Sequence, residues 1–290
     1  MGQFSDTTHI DAEIMDVAAI IKYFSLNEHP FMTSPDPRFL YFSSQVKEAL
    51  AKCEFMARDR IGPIYMYGPI GSGKTSLVRR LAEKLSQDER YNVKLLISPN
   101  VKSSNALLRL ILETFDVKTE RSYAASLNNF EKFLVEQYKN KKVPVLLIDE
   151  AQYLNRGHLN LIHYLLNFET NKTKLLQIVL VGQEELGTKI IQYRELASRM
   201  FPIAMSAMSP DDLKDMILFR LNVAGYRGDL FHDPQEAYKT LYTYTKGLPR
   251  DAIKVCCELF IELAAQGKKQ ATSKQVEEIA KGQNLRSSYG

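Results

Sequence analysis

Residues Gly68 to Thr75 read G-P-I-G-S-G-K-T, and this spacing suits one kind of chemistry, the cradling of a chain of phosphates. Successive backbone N–H groups must converge on phosphate oxygens, and side chains at several positions would block that approach. Gly68, Gly71 and Gly73 carry none; Pro69, Ile70 and Ser72 complete the loop. A helix opening at about Lys74, with Ser76 in its first turn, aims the positive end of its dipole at the same anion. Lys74 brings a point charge to the β- and γ-phosphates, and the Thr75 hydroxyl offers a ligand for Mg²⁺. A glycine-rich turn with no ligand is the alternative reading, and the flanks argue against it. Pro63 to Tyr67 reads as a short buried strand, and Ser76 to Leu85 as a helix with Leu77, Val78, Leu81 and Leu85 on one face.

A second set of reactive groups lies in "VPVLLIDEAQYL", residues 143 to 154. Val145 to Ile148 is a continuous apolar run, which suits a strand buried on both faces of a parallel sheet. Asp149 at its carboxyl end is placed to hold Mg²⁺ through water. Glu150, pointing the other way, is placed to take a proton from an attacking water, so that hydrolysis accompanies binding. Two solvated acids closing a strand would be the plain alternative.

The elements that must position these groups alternate. After a helix at about Ser44–Met56, strands are predicted at Pro63–Tyr67, Val93–Ser98, Val143–Asp149, Leu176–Gly182 and Pro202–Met205. Helices fall between them at Asn105–Phe115, Leu127–Tyr138 and His158–Phe168. Apolar strands alternating with helices predict a parallel sheet covered on both faces. Beyond about Ser206 the pattern becomes helical only. Ser209 caps a helix with Pro210 at its first position, Gly225 stops it, and further helices are expected at Pro234–Thr245, Pro249–Gln266 and Ser273–Lys281. The expected organisation is an arm at 1–45, irregular and packed by its aromatics, an α/β nucleotide-binding domain at 46–205, a helical lid subdomain at 206–284 and a flexible tail at 285–290.

With 290 residues, 45% of them hydrophobic, the chain can fill one large core and a smaller one. No apolar run approaches the roughly 18–20 residues of a membrane helix, and the start of the chain lacks a signal-peptide layout. The expectation is a cytoplasmic protein. Cys53, Cys256 and Cys257 have no metal-ligand spacing and read as buried free thiols. The net charge of +4 permits an anionic partner without requiring one.

Taken together, the stretches "HPFMTSPDPRFLYFS", "GPIGSGKT", "LLIDEAQYL", "LQIVLVGQEEL" and "KGLPRDAIKVCC" resemble the AAA+ ATPases, and within them the ExeA/TniB/TnsC group, over about Phe24 to Ala280. The resemblance implies a P-loop αβα sandwich with a parallel five-stranded sheet and a small all-helical lid, using ATP and Mg²⁺, with the arm near the adenine. It implies that Gln183 senses the γ-phosphate, although Asn or Thr is more usual there. It implies that Arg250 contacts nucleotide from the lid. Arg199, with Arg194 as fallback, is implied as an arginine finger reaching a neighbouring subunit, which requires a homo-oligomer, ring or filament.

Larger ExeA-type secretion ATPases continue past the lid into a membrane segment and a cell-wall-binding domain. A sequence ending at the lid leads to the expectation of a TniB/TnsC/MuB-like regulator of DNA transposition, with a transposase and target-selection proteins as partners and no membrane. Duplex DNA would be held non-specifically through phosphates by Lys102 in "SPNVKSSN" and by Lys118 and Arg121 in "DVKTERSY". An ExeA-like secretion-accessory ATPase, a replication-loader-type ATPase and a nucleotide switch with little hydrolysis remain as alternatives.

Overall fold

The computed structural model describes residues 16–34, 36–171 and 173–285. Residues 1–15 of the expected arm, and all of the expected tail except Leu285, lie outside that range. In chain order come α1 (Val17–Phe24), α2 (Ser44–Arg58), β1 (Ile64–Tyr67), α3 (Lys74–Ser86), β2 (Tyr91–Ile97), α4 (Ser104–Thr114) and α5 (Tyr123–Lys139). There follow β3 (Val143–Asp149), α6 (Arg156–Leu165), β4 (Gln177–Gly182), α7 (Glu184–Gln192), α8 (Arg194–Ala197) and β5 (Phe201–Ala204). The chain continues through α9 (Pro210–Val223), α10 (Pro234–Thr245), α11 (Pro249–Ala265) and α12 (Ser273–Gly282).

The five strands form one parallel sheet in the order β2-β3-β4-β1-β5. Alternation along the buried strands divides their side chains between two layers. Ile64, Met66, Val145, Leu147, Val179 and Val181 pack on α2 and α3. Tyr65, Leu146, Ile148, Ile178 and Leu180 pack on α4 to α8. Each such aliphatic side chain contributes about 1.5–3 kcal/mol on leaving water, which explains why these short strands contain almost nothing but apolar residues. β5 is an edge strand, and its alternation limits further pairing. Phe201 and Met205 turn their N–H groups inward to Pro63 and Tyr67. Pro202, between them in the alternation, has no N–H to offer, and Lys52 Nζ donates to its carbonyl at 2.9 Å.

The third core belongs to the lid, and it includes the arm. Ile20, Phe24, Leu26, Phe31 and Phe39 are buried with Leu213, Ile217, Leu241, Val255, Leu259 and Phe260 of α9 to α11. Phe24 and Phe31 both lie against Phe260, with centroids 4.4 and 5.3 Å apart. In the described part of the arm the aromatics pack as expected, and the surface they pack on is the core of the helical subdomain. The arm's Val17–Phe24 stretch, expected to lack helical period, is helix α1, capped by the Asp16 carboxylate at Ala19 N–H. Eight residues are too few for periodicity to declare, and the apolar face becomes recognisable only when α11 is against it.

Helices α7 and α8 were also absent from the sequence reading. α7 contains Gly187, a poor helix former, at the point where a Cβ would lie 2.9 Å from the Tyr67 ring. Of the three cysteines, Cys53 and Cys256 are buried free thiols as expected; Cys257 is only half-buried. Among the described residues no helix is long and apolar enough to cross a membrane.

Candidate active site

The carboxyl ends of the parallel strands share one rim, the usual ligand edge of such sheets, and the motif residues meet there. A cleft of ≈ 1110 Å³, open solvent included, is lined by Gly71 to Ser76 on one wall, Asp149, Glu150 and Gln183 on a second, and arm and lid residues on the third. That third wall includes Met32, Thr33, Phe39, Tyr41, Met208, Met216, Arg250 and Ile253.

The phosphate loop owes its glycines to two constraints of the fold besides the expected approach of phosphate. Gly71 and Gly73 adopt φ +83° and +92°, the left-handed region where a Cβ is disfavoured. At Gly68 the obstacle is the protein itself, since a Cβ would lie 2.2 Å from the Met205 carbonyl oxygen at the end of β5. α3 begins at Lys74 with Gly73 as its N-cap and no side-chain cap, which leaves its first N–H groups facing the loop. Lys74 is buried, and its Nζ donates to the carbonyls of Gly68 at 2.9 Å and Pro69 at 2.8 Å and to Ser72 Oγ at 3.2 Å. Burial holds its pKa below the ordinary value, and the nearby Glu150 and Asp149 carboxylates offset part of that effect.

Asp149 is 2% exposed. It accepts from the Glu150 N–H at 2.9 Å and from the Thr75 hydroxyl, and burial raises its pKa. The contact places a carboxylate and a hydroxyl, both hard oxygen donors, side by side at the phosphate loop. That donor set fits Mg²⁺, with Thr75 and Asp149 as the residues that would hold it. When bound, the ion would neutralise phosphate charge.

The Glu150 carboxylate is directed by its backbone and its amide partners, neither of which the strand pattern contained. Glu150 lies just past β3 with φ +56° and ψ +34°, a left-handed conformation that costs a non-glycine residue on the order of 1–3 kcal/mol. Its Oε2 accepts from the side-chain amides of Gln152 and, at 3.5 Å, Gln183. Gln183 therefore stands next to Glu150 at the end of β4, in the cleft.

Arg250 reaches the site from the first turn of α11. Its N–H donates to the Gly71 carbonyl at 3.2 Å, and its Cβ occupies the space a Cβ on Gly71 would need, 2.8 Å away. Arg199 and Arg194 are exposed and are not among the lining residues; the Arg199 guanidinium donates to Asn167 Oδ1. None of the residues expected at DNA lines the cleft. Ser104 and Tyr123 line one shallow groove, so the segments carrying Lys102 and Arg121 flank it. All three side chains are exposed, and Lys118 is ion-paired with Glu120 at 3.0 Å.

Two residues that the sequence reading passed over are prominent. Gln152 is buried between Glu150 and Gln183. Arg220 is buried in α9, where it donates to the carbonyls of Pro30 (2.8 Å), Met32 (3.1 Å) and Phe39 (3.2 Å) and lies over the Phe39 ring. Its position in register with Leu213, Met216 and Ile217, a cation in an otherwise apolar stripe, was the available signal.

A helical lid whose arginine touches the phosphate loop, closing on an Asp-Glu pair two strands away in a parallel sheet, is the arrangement of an AAA+ ATPase, and the chain has the fold and site of that class. Residues 58–190 match the AAA domain family. Within the class the chain is ExeA-like: it is 32% identical over 251 residues to general secretion pathway protein A of Aeromonas hydrophila, covering 85% of this chain and 45% of that protein. It thus spans less than half the length of this relative. Solved structures share the fold. Drosophila ORC bound to DNA superposes with a TM-score of 0.67 at 19% identity over 100% of this chain and 72% of the other. Pyrobaculum aerophilum Cdc6p gives 0.63 at 16% identity over 84% and 70%, and the Thermotoga maritima RuvB branch migration motor 0.57 at 19% over 84% and 70%.

Proposed function

We propose that the chain is the ATP-hydrolysing engine of a secretion-pathway machine, working as a homo-oligomer whose assembly follows its nucleotide state. The observation that supports the reading is the meeting of Lys74, Thr75, Asp149 and Glu150 in one cleft closed by Arg250, in a chain that resembles a secretion-pathway protein over most of its length. In this reading Lys74 and the α3 N-terminus hold the phosphates, Thr75 and Asp149 hold Mg²⁺, and Glu150 takes the proton of the attacking water. Gln183 senses the terminal phosphate and Arg250 reports it to the lid. Arg199 or Arg194, exposed and outside its own cleft, serves the cleft of a neighbouring copy.

A DNA-directed role, with a transposase as client, is the second reading. The exposed Lys102 and Arg121 beside one groove support it, but the relative named above belongs to secretion, so this reading ranks below the first. Sedimentation with a slowly hydrolysed ATP analogue, with and without duplex DNA, separates the two. The secretion reading expects assembly driven by the analogue alone, together with loss of export when Lys74→Ala replaces the parent in a complemented deletion strain. Assembly that requires DNA, and weakens when Lys102→Ala is combined with Arg121→Ala, would put the transposition reading first.

A further inference from the structure

Gln152 connects the two groups that must act together if the cleft hydrolyses ATP. It sits in a short 3-10 turn, Ala151–Tyr153, between β3 and α6. The residue is only 6% exposed, so protein partners rather than water must satisfy both ends of its amide. The Nε2 end donates to Glu150 Oε2. The Oε1 end accepts the backbone N–H of Gln183 at 3.1 Å. Space for that second bond exists because residue 182 is glycine; a Cβ there would lie 2.7 Å from Gln152 Oε1. The backbone is held as well, because Lys189 of α7 donates to the carbonyls of Gln152 and, at 3.3 Å, Leu154. One side chain thereby ties the carboxylate past β3 to the first residue past β4.

From this geometry we infer that Gln152 is a positioning residue of the hydrolytic step, fixing the Glu150 carboxylate and coupling its orientation to Gln183. The inference rests on the reading of Glu150 as the base. A carboxylate at the end of a free side chain samples several rotamers, whereas a charge-assisted bond from a buried amide selects one. The left-handed backbone of Glu150 points the same way, because such a conformation persists only where its surroundings over-determine it. Displacement of Gln183 on contact with a terminal phosphate would reach Glu150 through the Gln152 amide, beside the long direct contact from Gln183 Nε2 at 3.5 Å, without any movement of the sheet.

The test compares Gln152→Met, which keeps the volume and removes both bonds, with Glu150→Gln and with the double variant. Steady-state turnover, affinity for a fluorescent ATP analogue and Tm are measured for each. The expected result is a drop in kcat of at least about tenfold for Gln152→Met, with affinity and Tm near parental values. The double variant should turn over no more slowly than Glu150→Gln alone, since groups that act as a unit are non-additive. Parental kcat in Gln152→Met, or losses that simply add in the double variant, would overturn the inference; so would a loss of affinity and Tm that accounts for the fall in rate. Parental turnover in Glu150→Gln would instead remove the reading of Glu150 on which it rests. If Gln152→Met fails to fold, Gln152→Glu, which keeps shape and the acceptor toward Gln183 but loses the donor, is judged by the same criteria.

Discussion

The N–H of Arg250 donates to the carbonyl of Gly71 at 3.2 Å, so the lid is bonded to the phosphate loop itself. The contact depends on residue 71 having no side chain. Gly71→Ala should weaken the protein twice over, by forcing an alanine to φ +83° and by displacing Arg250. The backbone effect alone is on the order of 1–3 kcal/mol. Urea denaturation should give a lower midpoint and ATP titration a weaker affinity; a parental affinity would mean that the lid does not read the loop through this contact.

Arg220 makes the arm part of the lid. Its planar fork satisfies three carbonyls at once, and burial lowers its pKa only to about 10, so it remains charged at neutral pH. Arg220→Met should strand those acceptors, at about 1–3 kcal/mol for each one left buried, and loosen the Met32–Tyr41 wall of the cleft. The expected outcome is a lower Tm with weaker nucleotide binding. Arg220→Lys should recover little of either, because an ammonium cannot reproduce the fork.

His29 gives the arm a pH dependence. It is buried, its Nδ1 accepts the Phe31 N–H at 3.1 Å, and its ring lies 5.8 Å from that of Phe260. Burial, and then the positive charge of Arg220, hold its pKa below the ordinary value of 6.5. The unfolded chain therefore binds the proton first. Stability is complete above about pH 6.5 and is lost as the pH falls from there toward the lowered folded value. The Tm should drop between pH 7 and pH 5, and His29→Asn should reduce that drop. An equal drop in both proteins would assign the acid sensitivity to other groups.

Much of this was legible because chemistry and periodicity coincide in the central domain. Leu77, Val78, Leu81 and Leu85 line the inner face of α3 as expected, and β3 has the predicted bounds. The illegible parts depend on partners distant in sequence. Arg220 makes sense only once the arm, some 190 residues earlier in the chain, is against it. The reason for Gly68 is the Met205 carbonyl, which no local pattern contains. Glu150 was foreseen as a reactive group, but its orientation comes from a left-handed φ and the Gln152 amide rather than from strand alternation.

Phosphate release by Glu150→Gln, measured beside its ATP affinity, tests the central claim most directly. With the base removed, turnover should fall by about 10²–10⁴-fold, while affinity stays within about threefold, under 1 kcal/mol. Turnover equal to that of the parent would contradict the assignment of hydrolysis to this cleft.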